Sequence, residues 1–267
     1  MRHLLMAGAA AVALAAAGPA SAQIFGYSPP SGAYVAGDVG YHWPKFDSTT
    51  SARTTHDFGV ENDWAGFGRL GYRVNPNWRV ELEGGYRPGD IDSVRGPGNQ
   101  VPIGLCRAGV ARTAASPACQ SPEGSLRAST LMLNVLFDIG PEDARIRPFI
   151  GGGVGFAEVH NKVFGQLSNV PAGTAQFQNL SIDDMEQAFA YQGILGVGVA
   201  LTDRLMLDVT GRYLRTNELE FGSTTRFAGS PGPLVNVGFF QGEYEDASVT
   251  VGLRYQFGAE PAPPPPP

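Results

Sequence analysis

Eight segments of this chain alternate between apolar residues and polar or small residues with a period of two, which is typical of β-strands with one apolar face. The last segment shows this best, because one of its faces is entirely apolar, at Val249, Val251, Leu253, Tyr255 and Phe257. Its other face carries Ser248, Thr250, Gly252, Arg254 and Gln256. The pattern predicts an all-β protein with eight strands, near residues 34–43, 64–73, 78–87, 130–138, 150–156, 189–201, 205–213 and 248–257.

The connections between these segments alternate in length. Three are short, at residues 75–77, 140–144 and 202–204, and four are long, at residues 44–61, 87–125, 160–186 and 215–245. Transmembrane barrels have this asymmetry, with short periplasmic turns and long extracellular loops. An open sheet edge is not viable in hydrocarbon, so the first strand must pair with the eighth. We therefore predict an eight-stranded antiparallel up-and-down transmembrane β-barrel with both termini in the periplasm.

Aromatic residues mark the ends of the predicted strands. Such residues suit a lipid–water boundary, because their rings are amphipathic or interfacial. They are Trp43, Tyr72, Trp78, Tyr86, Tyr191, Tyr213, Tyr255 and Phe257. A secreted, soluble β-rich domain with aromatic residues at its turns is the alternative interpretation.

The N-terminus has the features of a secretory signal peptide. An apolar run from Leu4 to Ala17 is followed by Ala20-Ser21-Ala22, a small-residue cleavage site. We predict a signal peptide over residues 1–22, a periplasmic segment over 23–31, the barrel over 32–258 and a proline-rich tail or linker over 259–267. The net charge of −6 gives no indication of a nucleic-acid partner.

Charged residues on the polar faces of the predicted strands should point into the barrel. An eight-stranded barrel is only wide enough for its own side chains, so these charges should pair with one another. The candidates are Asp38, Arg69, Arg73, Arg79, Glu81, Glu83, Asp208, Arg212 and Arg254. An ion-paired plug is the favoured interpretation, and a gated ion path through that plug is the alternative.

The two cysteines of the chain, Cys106 and Cys119, both lie in the long second connection. An exported protein meets an oxidising compartment, so the sequence predicts one disulfide between them. A metal site is disfavoured, because two cysteines with no nearby histidine give too few ligands for zinc. No cofactor is expected.

The last strand reads Thr250-Val251-Gly252-Leu253-Arg254-Tyr255-Gln256-Phe257, and it resembles the C-terminal insertion signal of outer-membrane barrels, with Gly252, Tyr255 and Phe257 at its defining positions. Residues 129–135 and 147–155 are similar to the fourth and fifth strands of outer-membrane protein A-type barrels. The resemblance implies residence in the outer membrane of a Gram-negative bacterium, among lipid and lipopolysaccharide. It also implies recognition by the barrel assembly machinery.

The resemblance extends to the tail, which looks like the linker that precedes a peptidoglycan-binding domain in such proteins. Peptidoglycan binding is not expected within these residues. No catalytic site is predicted, because His42, His56 and His160 have no recognisable nucleophile beside them. We expect a structural role in envelope integrity, with a small porin-like channel as the alternative. A surface adhesin or receptor that binds through its loops is the second alternative, and the acidic residues 183–186 are interpreted as a solvated loop edge.

Overall fold

The computed structural model describes residues 32–50, 55–95, 105–108, 121–167, 178–227 and 235–257. The predicted signal peptide at 1–22, the segment 23–31 and the tail 259–267 lie outside these residues, as does Cys119. No helix in the described part of the chain is long and apolar enough to span a membrane.

Regular structure in these residues consists of β-strands in one antiparallel sheet. The twelve strands are β1 Gly32–Thr50, β2 Thr55–Val60, β3 Asp63–Arg73, β4 Trp78–Arg87, β5 Ile91–Arg95, β6 Leu105–Cys106, β7 Glu123–Asp138, β8 Ile146–Leu167, β9 Gln178–Ala200, β10 Leu205–Thr216, β11 Leu219–Phe227 and β12 Val235–Gln256. The predicted all-β class is confirmed.

Eight of these strands close into a barrel. Backbone pairing runs from β1 through β3, β4, β7, β8, β9 and β10 to β12. Strand β12 then pairs back with β1, from Tyr34↔Gln256 to Thr50↔Phe240. The predicted up-and-down topology is therefore confirmed, including the pairing of the first strand with the last.

Short turns join the strands at one end of the barrel, which we call the turn end. In the first turn, the Asn75 side chain accepts hydrogen bonds from the backbone N–H groups of Asn77 and Trp78, at 3.0 and 2.9 Å. In the second, Gly140 has a φ of 99°, which glycine adopts without a Cβ clash. These tight connections fix the register of neighbouring strands.

The opposite end, which we call the long-connection end, differs from the prediction. The segments 44–61, 87–125, 160–186 and 215–245 were expected to be loops, but strands fill much of them. Strands β2, β5, β6 and β11 pair with the extended ends of β1, β8, β9 and β12 to form a second closed ring. The acidic residues 183–186 accordingly lie within β9 and not at a loop edge.

The outer surface between the two ends is apolar. Residues such as Val39, Leu70 and Val251 point outward and are about half exposed or more. Aromatic girdles border this band, with Trp43, Trp64, Tyr86 and Tyr213 towards the long-connection end and Tyr72, Trp78, Phe137, Tyr255 and Phe257 at the turn end. An outward apolar band between two aromatic girdles is the surface of a membrane-spanning barrel.

Candidate functional site in the barrel lumen

The strand parity that turns apolar residues outward turns the charged residues into the lumen. All nine charged residues predicted for the interior are buried: Asp38, Arg69, Arg73, Arg79, Glu81, Glu83, Asp208, Arg212 and Arg254. They come from β1, β3, β4, β10 and β12, so the site draws on more than half of the barrel strands.

Arg69 lies at the centre of this network. Its Nε and Nη2 atoms donate to Asp38 at 2.7 and 2.8 Å. It also donates to Glu81 at 3.1 Å and to Asp208 at 3.0 Å. One guanidinium thus joins carboxylates from three strands, which its five donors in a rigid planar group allow.

Two further arginines extend the network from Asp38 and Asp208. Arg212 donates to Glu83 at 3.0 Å and to Asp38 at 3.2 Å, so an arginine of β10 meets a glutamate of β4 across the lumen. Arg254 donates to Asp208 at 3.0 Å. Each of these carboxylates is held by charge-assisted hydrogen bonds, the strongest class in proteins.

Towards the turn end, Asp138 is the carboxylate that two arginines share, as Asp38 is at the centre of the network. Arg79 donates to Asp138 from Nε at 3.0 Å and from Nη2 at 2.8 Å, and it also donates to Glu81 at 3.2 Å. Arg73 lies 3.3 Å from the second oxygen of the Asp138 carboxylate. Arg147 also lies at the turn end, where it contacts backbone carbonyl oxygens and no carboxylate among the described residues.

A separate cluster closes the long-connection side of the network. Asp246 lies 3.0 Å from Arg87 Nε and 2.7 Å from His42 Nδ1, and the His42 Nε2 atom lies 2.6 Å from the Pro88 carbonyl oxygen. The hydroxyl of Tyr244 donates to Asp246 at 3.4 Å. All of these side chains are fully buried apart from Pro88.

Sequence reasoning left four of the buried charged residues and one buried histidine off the candidate set: Arg87, Asp138, Arg147, Asp246 and His42. Each has the lumen-facing parity of its strand, so parity alone was a sufficient signal. Asp246 and Arg147 lie just outside the predicted bounds of their strands, 248–257 and 150–156.

Aromatic rings pack against the guanidinium groups inside the lumen. The Cζ atoms of Arg212 and Arg87 both lie close to the Phe67 ring, at 4.2 and 4.7 Å from its centroid. The Arg79 Cζ atom lies 4.9 Å from the Phe149 ring centroid. A cation over an aromatic face is attracted to the ring quadrupole. Each of these rings therefore stabilises the buried cations beside it.

Glycines on the lumen side of the strands make room for these large side chains. A Cβ added at Gly71 would overlap the Tyr34 ring, whose hydroxyl donates to Glu81 at 2.6 Å. A Cβ added at Gly252 would overlap the Asp38 carboxylate. Gly252 thus has a packing role in the lumen as well as its position in the predicted insertion signal.

The lumen becomes apolar beyond the His42–Asp246 cluster, in the region where the sequence predicts long connections. Four phenylalanine rings pack edge to face, with centroids 5.5 to 5.9 Å apart: Phe46, Phe58, Phe221 and Phe240. They belong to a larger cluster of buried aliphatic side chains, which we call the apolar cap. The outer faces of the same strands carry charges, including Lys45 opposite Glu245 and His160 at 2.9 Å from Asp183.

The other predicted sites occupy separate parts of the molecule. Tyr255 and Phe257 lie on the lipid-facing girdle of the turn end, with ring centroids 5.2 Å apart. Cys106 is buried in β6 and is not a free thiol. Cys119 lies outside the described residues, so the pairing of these two cysteines stays a prediction.

Comparisons with known sequences agree with this geometry. The outer membrane protein β-barrel domain family matches residues 7–258. An outer membrane protein of Gluconacetobacter diazotrophicus is 27% identical over 222 residues, which cover 79% of this chain and 50% of the relative. The chain thus spans about half the length of that relative. An uncharacterised protein of Brucella abortus is 28% identical over 260 residues and is covered to 85%, as is this chain.

Solved structures show the same fold. The outer membrane protein OprG of Pseudomonas aeruginosa has a TM-score of 0.51 at 12% identity, covering 88% of this chain and all of that one. Its low identity limits this comparison to the fold. The family match, the apolar outer band and the closed ring of strands agree with one another. This chain belongs to the outer membrane protein β-barrel domain family and is an outer-membrane β-barrel protein.

Proposed function

We propose that this protein is a closed, structural barrel of the bacterial outer membrane and that its lumen does not conduct ions. The observation that carries the proposal is the filling of the lumen by two consecutive layers of opposite character. The first is the buried ion-paired network, and the second is the apolar cap above it.

Each layer resists ions for a different physical reason. A hydrated ion in the charged layer would have to displace arginine–carboxylate pairs such as Arg69–Asp38, which have fully buried side chains. In the cap the same ion would lose its water among phenylalanine rings that offer no replacement ligands. A path that opens one layer leaves the other closed.

The surroundings we propose follow from the outer surface. The apolar band lies in lipid, and the exposed charged rows beyond Trp43 and Tyr213 lie among the head groups of lipopolysaccharide. The C-terminal strand, with Gly252, Tyr255 and Phe257, is the segment that we propose the barrel assembly machinery recognises. We propose no catalytic role, since His42 is bonded on both ring nitrogens inside the lumen and His160 is paired with Asp183.

Planar-bilayer recording of the refolded barrel tests the closed lumen. We expect no unitary conductance steps from the wild type. The combined variant Phe46→Ala with Arg212→Ala, which removes part of each layer, should conduct, whereas Phe164→Ala should stay silent because Phe164 points outward beyond the membrane. Steady unitary steps from the wild-type barrel would overturn the proposal and establish the alternative, a small channel.

A further inference from the structure

The charges that the described residues place in the lumen do not balance. Their buried charged side chains comprise seven arginines and six carboxylates. Each of the six carboxylates lies within 3.1 Å of an arginine other than Arg147. Arg147 is therefore the buried arginine for which the described part of the chain supplies no carboxylate.

The contacts of Arg147 are poor for so deeply buried a cation. The residue is 2% exposed, and among the described residues its Nη2 atom donates to the carbonyl oxygens of Asp138 and Gly140 at 3.5 and 3.4 Å. Its Nε and Nη1 atoms have no hydrogen-bond partner among these residues. Three N–H donors of one guanidinium are thus buried without an acceptor from the described part of the chain.

The neighbourhood of Arg147 adds positive charge. Arg73 lies within electrostatic range of Arg79, Arg147 and Arg254. The carboxylate at this level is Asp138, which already binds Arg73 and Arg79. A buried cation costs free energy unless an opposite charge accompanies it, so this region favours an additional anion.

We propose that the periplasmic mouth of the lumen binds a small oxyanion, such as phosphate or a carboxylate, on the guanidinium of Arg147. Arg147 is the second residue of β8 and follows the 139–145 turn directly, so the site lies at the turn end of the barrel, which we predict to be periplasmic. Oxyanions are the natural partners of a guanidinium with free donors, because charge-assisted hydrogen bonds to them are strong.

The site is tested by the stability of the purified, refolded barrel in detergent micelles. Thermal unfolding is followed with inorganic phosphate, acetate or chloride as the added anion, at constant ionic strength. Ligand that binds only the folded barrel raises the ratio of folded to unfolded protein tenfold for each tenfold rise in concentration above its Kd. We expect this dependence for phosphate, a weaker one for acetate, and the weakest for chloride.

Two variants assign the effect to Arg147. Arg147→Met should fold, because it removes a buried charge that has no carboxylate partner, and it should lose the phosphate dependence. Arg145→Gln, which removes an exposed arginine two residues earlier, should keep it. If wild type and Arg147→Met respond equally to phosphate, or if neither responds, Arg147 does not bind the anion and the proposal is wrong. Should Arg147→Met fail to fold, Arg147→Lys with weaker phosphate dependence supports the site, and an unchanged dependence refutes it.

Discussion

Replacing Arg69 with methionine is the most direct test of the ion-paired lumen. The substitution keeps a long, flexible side chain of similar reach but removes the hydrogen bonds to Asp38, Glu81 and Asp208. Each of these carboxylates keeps one other arginine, namely Arg212, Arg79 or Arg254, at 3.0 to 3.2 Å. The network is therefore weakened at three points without leaving any carboxylate alone.

The expected cost follows from this arrangement. Breaking a buried pair costs about 3–5 kcal/mol when it leaves a lone charge. Because second partners remain, we expect the lower end for Arg69→Met, about 3 kcal/mol, or roughly a hundredfold change in the folded-to-unfolded ratio. Arg147→Met is the matched control, because Arg147 is also 2% exposed but has no carboxylate partner among the described residues. In phosphate-free buffer it should change stability by less than about 1 kcal/mol, or raise it.

Urea unfolding of the barrel in lipid vesicles measures both variants. Tryptophan fluorescence reports the transition, because all three tryptophans lie on the lipid-facing girdles, at Trp43, Trp64 and Trp78. With a denaturant slope of about 3 kcal/mol per molar, the Arg69→Met midpoint should fall by about 1 M urea relative to the control. Equal losses in the two variants would show that side-chain packing, and not charge pairing, stabilises the lumen.

Three further outcomes follow from the structure. Gly71→Ala should lower the free energy of unfolding by about 1–3 kcal/mol, because the added Cβ overlaps the Tyr34 ring. Gly68→Ala, on the lipid face with open space around it, should change that free energy little. Urea midpoints measure both variants. Phe257→Ala should reduce the heat-modifiable barrel in outer-membrane fractions, and a wild-type yield would argue against the insertion signal. Thiol labelling of the denatured, non-reduced protein should find neither Cys106 nor Cys119 free, and their double replacement by serine should leave the barrel assembled with a more easily cleaved second connection.

The number of barrel strands and the lumen-facing charges could be predicted, because both depend on a period of two along the eight barrel strands. In β12, for example, Arg254 and Asp246 share one parity without interruption. The partners within the lumen could not be predicted. Arg254 meets Asp208 of the neighbouring strand and not a glutamate of β4, because side-chain reach across a barrel depends on the stagger of its strands.

The strand extensions escaped sequence reasoning for a different reason. The predicted strands have apolar residues on the outward face, but beyond the membrane the polarity of the two faces inverts while the period is kept. In β8 the outward positions change from Val154 and Phe156 to His160 and Lys162, and the inward positions become Val159 and Val163. A strand whose apolar and polar faces exchange along its length resembles a loop when apolar residues are expected on the outward face throughout.

The polarity of the outer face and the polarity of the inner face invert at the same level of the barrel. This level fixes the depth of the barrel in the membrane. On β12 the outer face changes from Ala247 to Glu245, and the inner face changes from Asp246 to Tyr244. The apolar band from Ala247 to Phe257 covers ten residue steps, which at about 3.3 Å each and a tilt of about 40° gives roughly 25 Å. That height matches the apolar band of outer-membrane barrels. A shift of the barrel by two residues deeper into the bilayer would bring Glu245 into hydrocarbon. The side chains at which the polarity of the two faces inverts therefore also hold the barrel at one depth.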